Sequence, residues 1–513
     1  MKKKFVNFRP IFLIAITLLV ATFFATKVCV VQGLKLAFFI ALLVFASVCF
    51  VVFAFKKLKI LMVVGCTLLF ASYPFLNVFI KGERLENYKQ FNTEVVSVTG
   101  TASGSYKIKN GKMSFDLKNA EVLYCGKEIK ISGMLTVYCS PDNLVLDQDF
   151  RSGTLLNFTA QFNMLSCQED NLKRAYSFLS SNMVGIAYAN EGSIKNLGYH
   201  PTLGDRVHNY IATKLQNANL KNSGIAMALL IGDTAGIDRE TTEEFRLTGI
   251  AHLLAVSGLH VSVLMVLLNF ILKKCKVKAQ VSLIITGIIL AIYCYICNFS
   301  VSIIRASIMA LVCGYATARG NPYDKLSSLS LASVLTMLWS PLIMFNLSYQ
   351  LSFLAVLSMC CLSPVLERLF SKKLKKGLTD ALAVDVAIDI GLVAIMCHYF
   401  GRVSLITVPA NLILIPISSL AFMVLIVGFL ISAVLPFMSF LMLGYDYLMN
   451  IVVQFNSWLA NLNWSVSVST SSLVVILTML LVWICSDYLF ASRKAKGISA
   501  SVLSIGICVL LLI

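Results

Sequence analysis

The chain has 513 residues, is 58% hydrophobic and only 13% charged, and has a mean hydropathy of +0.82. That is more apolar surface than a water-soluble core can bury, so the totals exclude a soluble globular protein and point to a polytopic membrane protein. The formal net charge of +18 raises nucleic acid as a partner, but basic cytoplasmic loops of a membrane protein account for most of the excess.

Met1–Arg9 is basic and runs into a long apolar stretch without a small-residue cleavage site, which reads as a retained membrane helix. Three apolar spans follow, at Pro10–Val31, Leu34–Phe55 and Leu58–Ile80, each long enough to cross hydrocarbon about 30 Å thick. Lys2, Lys3, Lys4 and Arg9 precede the first; Lys56, Lys57 and Lys59 divide the second from the third. The positive-inside rule then puts the N-terminus in the cytoplasm and residue 81 outside.

From Lys81 to Asp170 the long apolar runs stop and alternation begins. Asn110-Gly111, set between Tyr106–Lys109 and Lys112–Phe115, is a two-residue hairpin signal. Further strand-like runs lie at Glu94–Val98, Glu121–Cys125, Lys130–Tyr138 and Leu155–Phe162, and Gly185–Gly198 is placed to close the β region. Five short strands in this space predict a small β-barrel, with an OB-fold as one candidate. Lys and Arg are balanced by Asp and Glu across the region, so any binding of nucleic acid must be local. Lys107, Lys109 and Lys112 form a basic patch, with Tyr106, Phe115, Tyr124 and Tyr138 available for base stacking; the competing reading makes these aromatics barrel core. Cys125, Cys139 and Cys167 allow one disulfide and leave one free thiol, in a pairing the sequence leaves open.

Beyond the barrel, Thr202–Leu215 carries Leu203, Val207, Ile211 and Leu215 four apart, an amphipathic helix suited to a membrane interface. Ile225–Ile231 is apolar but too short to span, and Asp238 suits a helix N-cap. Spans are then expected at Gly249–Leu272, Gln280–Cys297, Val301–Arg319, Leu326–Phe345, Gln350–Leu366, Ala381–Phe400, Ser404–Leu435, Phe437–Leu459 and Leu473–Phe490, with a last apolar run at Ile498–Ile513. Pro409 and Pro416 predict a broken or re-entrant helix within Ser404–Leu435. The expected organisation is therefore N-terminal transmembrane helices (1–80), an extracytoplasmic OB-like β-domain (81–200), interfacial or re-entrant helices (201–248), a transmembrane domain (249–490) and a short apolar helix (491–513).

Several polar residues fall inside these spans, where ionisable groups are costly and usually face a bundle interior or a wet cavity. On an unbroken helix His252 and His260 sit about 80° apart, so both can face one cavity, and Ser257 lies within reach of His260. Ser257 and His260 also permit a nucleophile-and-base reading, though no carboxylate or GxSxG elbow accompanies them. Ser302, Ala306, Ala310, Gly314 and Ala318 form a small-residue stripe for a neighbouring helix, and Arg305 beside it is either a snorkelling residue or a fixed charge toward a cavity. Asp385 and Asp389, one turn apart, suggest a cation or proton site of an ion-coupled small-solute transporter; the competing reading leaves Asp380 and Asp385 at the interface, with Lys372–Lys376 nearby to neutralise them. Five scattered histidines and no paired CxxC motif give no metal site, no cofactor is expected, and no GxxxxGK[ST] loop supplies a motor.

The stretch AMALLIGDTAGIDRETTEEFRLTGIAHLLAVSGLHVSVL (Ala226–Leu264) resembles the signature of the ComEC-type competence proteins. SVSIIRASIMAL (Ser300–Leu311), SPLIMFNLSYQLSFLAVLS (Ser340–Ser358) and HYFGRVSLITVPANLILIPI (His398–Ile417) follow in the family's order. The resemblance implies inward passage of single-stranded DNA across the cytoplasmic membrane during natural transformation, with the OB-fold holding the strand outside. His252, Ser257, His260, Arg305, Gln350 and Asn411 fall at motif positions and are implied to line the channel. Implied partners, besides the bilayer, are a DNA receptor, a pilus, a separate nuclease, a cytoplasmic ATPase or helicase, and a second copy of the chain. The sequence stops at Ile513 without the metallo-β-lactamase-like domain of many family members, so no hydrolysis by this polypeptide is expected. Asp385 and Asp389 also depart from the family pattern and would repel DNA if they faced its path.

Overall fold

The structure is a computed structural model that describes residues 10–28, 32–56, 59–92, 95–109, 112–124, 126–140, 151–164, 172–190, 192–371 and 375–467. The expected spans at Leu473–Phe490 and Ile498–Ile513 lie outside the described residues, as do Asn110-Gly111. Among the described residues, seven helices are long and apolar enough to cross a membrane. A closed barrel of five strands lies in sequence between the early and the later helices, giving a polytopic α-helical protein with an inserted β-domain. The described residues form two compact units, one of 10–214 with 330–349, the other of 215–329 with 350–467.

The barrel unit begins with α1 (Pro10–Phe23), α2 (Gln32–Lys56) and α3 (Lys59–Tyr88). α3 continues past the expected end at Ile80 because its last turns are barrel core rather than loop. Leu85, Tyr88 and Phe91 are buried in one cluster with the strands, Tyr88 and Phe91 stack, and Phe91 meets Tyr124 edge-on. The Tyr88 hydroxyl accepts the Ser132 N–H at 3.0 Å, which gives this aromatic plug a fixed depth.

The strands are β1 (Val95–Lys109), β2 (Lys112–Tyr124), β3 (Lys127–Lys130), β4 (Met134–Cys139), β5 (Thr154–Met164), β6 (Met183–Ala189) and β7 (Lys195–Tyr199). Lys109 pairs with Lys112, so the β1–β2 connection is two residues long, as the hairpin signal requires. Pairing runs β1-β2-β4-β6-β5 and returns from β5 to β1; β4 and β6 are parallel and the other pairs antiparallel. This is a Greek-key closure of the OB type, with β3 and β7 added at its margins. Alternation along β2 and β5 sends Met113, Phe115, Leu117, Leu156, Phe158 and Phe162 inward. A helix α4 (Leu172–Ser180) precedes β6, and its Tyr176 stacks on Phe345.

α5 (Leu203–Asn217) occupies the amphipathic stretch, and its start is bolted to the barrel. Thr202 and Asp205 form a capping box: the Asp205 N–H donates to Thr202 Oγ1, and the Thr202 N–H donates to Asp205 Oδ2 at 2.9 Å. Ser152 Oγ donates to the other carboxylate oxygen and itself accepts the Gly104 N–H at 2.9 Å. Burial alone would raise the Asp205 pKa, but the hydrogen bonds from Ser152 and Thr202, with Lys118 nearby, hold it below the ordinary aspartate value. A carboxylate depressed in the folded state adds stability that is present above its unfolded pKa and lost as pH falls through the folded value. The barrel of Asp205→Asn is therefore expected to melt lower than the parent at neutral pH and to converge with it in acid, read by circular dichroism from pH 7 downward.

The helical unit is built from α6 (Ser223–Ile231), α7 (Arg239–Leu247), α8 (Gly258–Lys274), α9 (Ala279–Ile296), α10 (Val301–Ala318), α12 (Leu347–Phe370, within this unit from Gln350), α13 (Lys376–Phe400), α14 (Thr407–Val434) and α15 (Met442–Asn461). α11 (Lys325–Trp339) stops before Ser340-Pro341, short of the expected Phe345. Asp238 is the N-cap residue of α7 as its position suggests, although its side chain makes no cap bond. α15 anchors what precedes it: the Asp446 carboxylate accepts the backbone N–H groups of Lys221 and Asn222, and Asn456 accepts from Thr248 Oγ1 at 2.6 Å.

Two expectations are corrected here. Gly249–Leu272 is not one helix: Ala251–Leu254 is a 3-10 turn, Ala255 and Ser257 are extended, and the helix starts at Gly258. The 80° argument for His252 and His260 therefore falls away, because a capping box at Ser257 makes a new helix start. Ser404–Leu435, conversely, holds one helix of 28 residues. Pro409 lies in its first turn, where an N–H has no intrahelical acceptor, and Pro416 forfeits only one bond in a helix held by its neighbours.

Candidate functional sites

The barrel presents a polar and aromatic row on its outer surface. Lys107 pairs with Ser114, Ser114 with Tyr138, Tyr138 with Tyr188, and Tyr188 with Gln161. Directly opposed residues share a face, and this face is the reverse of the one carrying Met113, Val137 and Ala187 into the core. Tyr138 and Tyr188 stack with centroids 5.8 Å apart, and Tyr188 is 44% exposed. Lys112 lies on the same face as Ser114, two residues away, and is exposed like Lys107. At strand spacings near 4.8 Å, Lys107 and Tyr188 stand roughly 14 Å apart. Two exposed lysines and a stacked aromatic pair thus share one face of the barrel.

Of the residues expected to contact DNA, Tyr106, Lys107 and Lys112 are exposed at the hairpin end. Lys109 is placed by register opposite Lys112. Phe115 is core: it is 3% exposed and packs within the barrel, so it offers no face to a base. Cys139 is a buried free thiol on β4, pushed up in pKa by burial, and Cys125 and Cys167 lie outside the described residues. Tyr188 was not among the expected contacts.

In the helical unit, three of the expected channel residues meet at the start of α8. Ser257 caps the helix: its Oγ accepts the Leu259 N–H at 3.2 Å, and its own N–H donates to His260 Nδ1 at 2.9 Å. His260 is 3% exposed and its ring meets Phe422 of α14 edge-on at 4.5 Å. With Nδ1 accepting the Ser257 N–H and lying 3.3 Å from Ser257 Oγ, His260 holds the helix start.

Arg305 comes to the same place from α10. Its Nη1 donates to the Ser352 carbonyl of α12 at 2.7 Å, and its Nη2 lies so close to Gly258 that a Cβ there would come within 2.8 Å. Ala306 also packs on Gly258, and Gly314 on Leu283, as the small-residue stripe predicts. Arg305 is 7% exposed, and among the described residues its Nε has no hydrogen-bond partner and no carboxylate bonds to it. It neither snorkels nor pairs. An unpaired buried ion costs several kcal/mol even after relaxation.

The remaining expected residues are elsewhere. His252 is exposed on the 3-10 turn, and Gln350 is half-buried in α12. Asn411 is buried on α14 and donates from Nδ2 to Asp385 Oδ1 of α13 at 2.7 Å. His260, Arg305 and Asn411 are thus engaged in packing in this conformation.

Residues 229–493, just over half the chain, match the family described as competence protein. A segment of 195 residues, 38% of the chain, is 26% identical to ComE operon protein 3 of Bacillus subtilis (strain 168) and spans 24% of that protein, so the match covers about a quarter of the relative's length. No solved structure matches. With its multiple membrane spans, inserted barrel and this match, the chain belongs to the ComEC-type competence protein family.

Proposed function

We propose that this chain is the membrane channel by which single-stranded DNA crosses the cytoplasmic membrane during natural transformation. Arg305 carries the reading. A guanidinium buried with no carboxylate among the described residues, and with an unused donor, is poorly placed for stability alone and well placed for a passing phosphate. The strand passes where α8, α10 and α12 meet, and Arg305 contacts its phosphates when those helices part. The barrel is extracytoplasmic and the N-terminus cytoplasmic, as the basic residues around the first spans direct. The chain itself acts as a conduit; a DNA receptor, a separate nuclease and a cytoplasmic ATPase or helicase supply capture, strand degradation and pulling, and a second copy completes the assembly.

The test is complementation. In a transformable host lacking its own competence channel, expression of this chain is expected to restore cytoplasmic arrival of labelled DNA. Folded, membrane-inserted protein that restores nothing overturns the proposal.

The barrel row has its own test, on full-length protein in detergent with a labelled single-stranded oligonucleotide. Tyr188→Ala is expected to weaken binding by roughly 1–3 kcal/mol, the contribution of one stacked base. Lys107→Gln and Lys112→Gln are each expected to lower the salt dependence by about 0.7 in log–log slope. Binding unchanged in all three places the strand on another surface.

A further inference from the structure

Asp385 and Asn411 hold a pattern that a single proton completes. Asn411 Nδ2 donates to Asp385 Oδ1 at 2.7 Å. The other two oxygens of the pair, Asp385 Oδ2 and Asn411 Oδ1, are both buried and both lack a partner. Asn411 comes from a different helix and is 6% exposed, so its orphaned oxygen is out of reach of bulk solvent. Two stranded acceptors on a bonded acid–amide pair ask for one donor between them. A hydrogen on Asp385 Oδ2, directed at Asn411 Oδ1, converts the single bond into the reciprocal pair of a carboxylic acid with a carboxamide and satisfies both atoms.

We propose that Asp385 and Asn411 form a proton-binding site in the helical unit, with Asp389 one turn along α13 as the group that exchanges the proton. Transfer breaks the O–H bond at Asp385 Oδ2 and makes one at an Asp389 carboxylate oxygen, leaving Asp385 anionic and still held by Asn411 Nδ2–H. α14 carries no titratable residue, and α12 contributes Tyr349, Cys360, Cys361, Glu367 and Arg368, with Ser363 donating to Glu367 and Arg368 Nε donating to the Pro364 carbonyl. The strand β8 (Arg402–Ser404) brings Arg402, and α13 itself adds Asp380 and His398, yet among the described residues no Lys, Arg or His bonds to Asp385. The site is independent of the DNA reading and can stand or fall without it.

Asp385→Asn mimics the protonated acid, because its amide donates to Asn411 Oδ1 while accepting from Asn411 Nδ2. Its unfolding temperature in detergent is expected within about 2 °C of the parent near pH 4, about the unfolded aspartate pKa. The parent alone should lose ground as pH rises from there toward neutral, because its unfolded state gives up the proton that the folded pair holds. Infrared spectra of the parent should carry a protonated-carboxyl band at neutral pH that is absent from Asp385→Asn and shifted in Asn411→Leu. A stability gap independent of pH, or no protonated-carboxyl band, overturns the site. So does stabilisation of the parent alone by sodium ions, which would make the pair a metal-cation seat. Should Asp385→Asn fail to accumulate, the parent's band and its pH dependence decide.

Discussion

Arg305→Leu is expected to cut cytoplasmic uptake of labelled DNA by about 100-fold, the loss typical of deleting one buried, preorganised charge donor, while leaving the protein as stable as the parent or more so. The two signs separate function from folding. A residue kept for structure should take stability with it when removed. Arg305 gives up one hydrogen bond to Ser352, worth about 1.5–3 kcal/mol for a charged donor, and leaves a carbonyl that sits within α12. Against that, leucine relieves the desolvation of an unpaired cation, and replacing buried ions by apolar groups is often neutral or stabilising. Arg305→Lys should fall between the two in uptake: the charge survives, but an ammonium that reaches Ser352 has no second arm for a phosphate. Thermal unfolding in detergent and uptake in the complemented host are read on the same variants. A leucine variant that transports normally removes Arg305 from the path, and one that unfolds makes it a strut.

What the sequence disclosed follows from the range of the interactions involved. The β1–β2 hairpin was legible because Asn-Gly fixes a two-residue connection locally, and the barrel because its strands alternate. β6 was harder: its inward residues include Val184, Gly185 and Ala187, too small to stand out as a hydrophobic rhythm. The Lys107–Tyr188 row depends on pairings between residues as far apart as 138 and 188, which closure creates and no window contains. The break before α8 was half visible. Ser257 and Gly258 signalled it, but uniform hydropathy carried the span through, and the residue closing the capping box is His260, where the familiar pattern has Glu or Gln. α14 erred in the opposite direction, because two prolines argue for a break only if both fall in a helix interior, and Pro409 does not. Asp385 read as half of a carboxylate pair, whereas its bonded partner is Asn411, 26 residues later on another helix.

Gly249→Ala should be the most damaging methyl that can be added near this break. Gly249 has φ +80°, a conformation that costs an L-residue about 1–2 kcal/mol. Its missing side chain is also filled space: a Cβ there would overlap the Thr407 hydroxyl and stand 3.2 Å from Thr407 Cβ. Thr407 cannot simply turn away. Its Oγ1 lies 3.3 Å from the Thr248 carbonyl and 3.1 Å from that of Ser404, joining the end of α7 to the start of α14. Thr248 is in turn bonded to Asn456 of α15, and Ile250 is fully buried with its N–H on the Phe245 carbonyl. Backbone strain and overpacking together predict a loss of roughly 3–5 kcal/mol, enough to remove most folded protein from a marginally stable unit. The two causes separate in a double-mutant cycle with Thr407→Ala. That change removes the overlapping hydroxyl but not the strained φ, so Gly249→Ala should cost distinctly less in its presence, with about 1–2 kcal/mol of backbone strain persisting. Membrane yield and unfolding temperature of the four proteins give the measurement. Equal costs in both backgrounds would mean that the close approach to Thr407 contributes nothing, and a Gly249→Ala protein as stable as the parent would mean that the turn before α8 is not built as described.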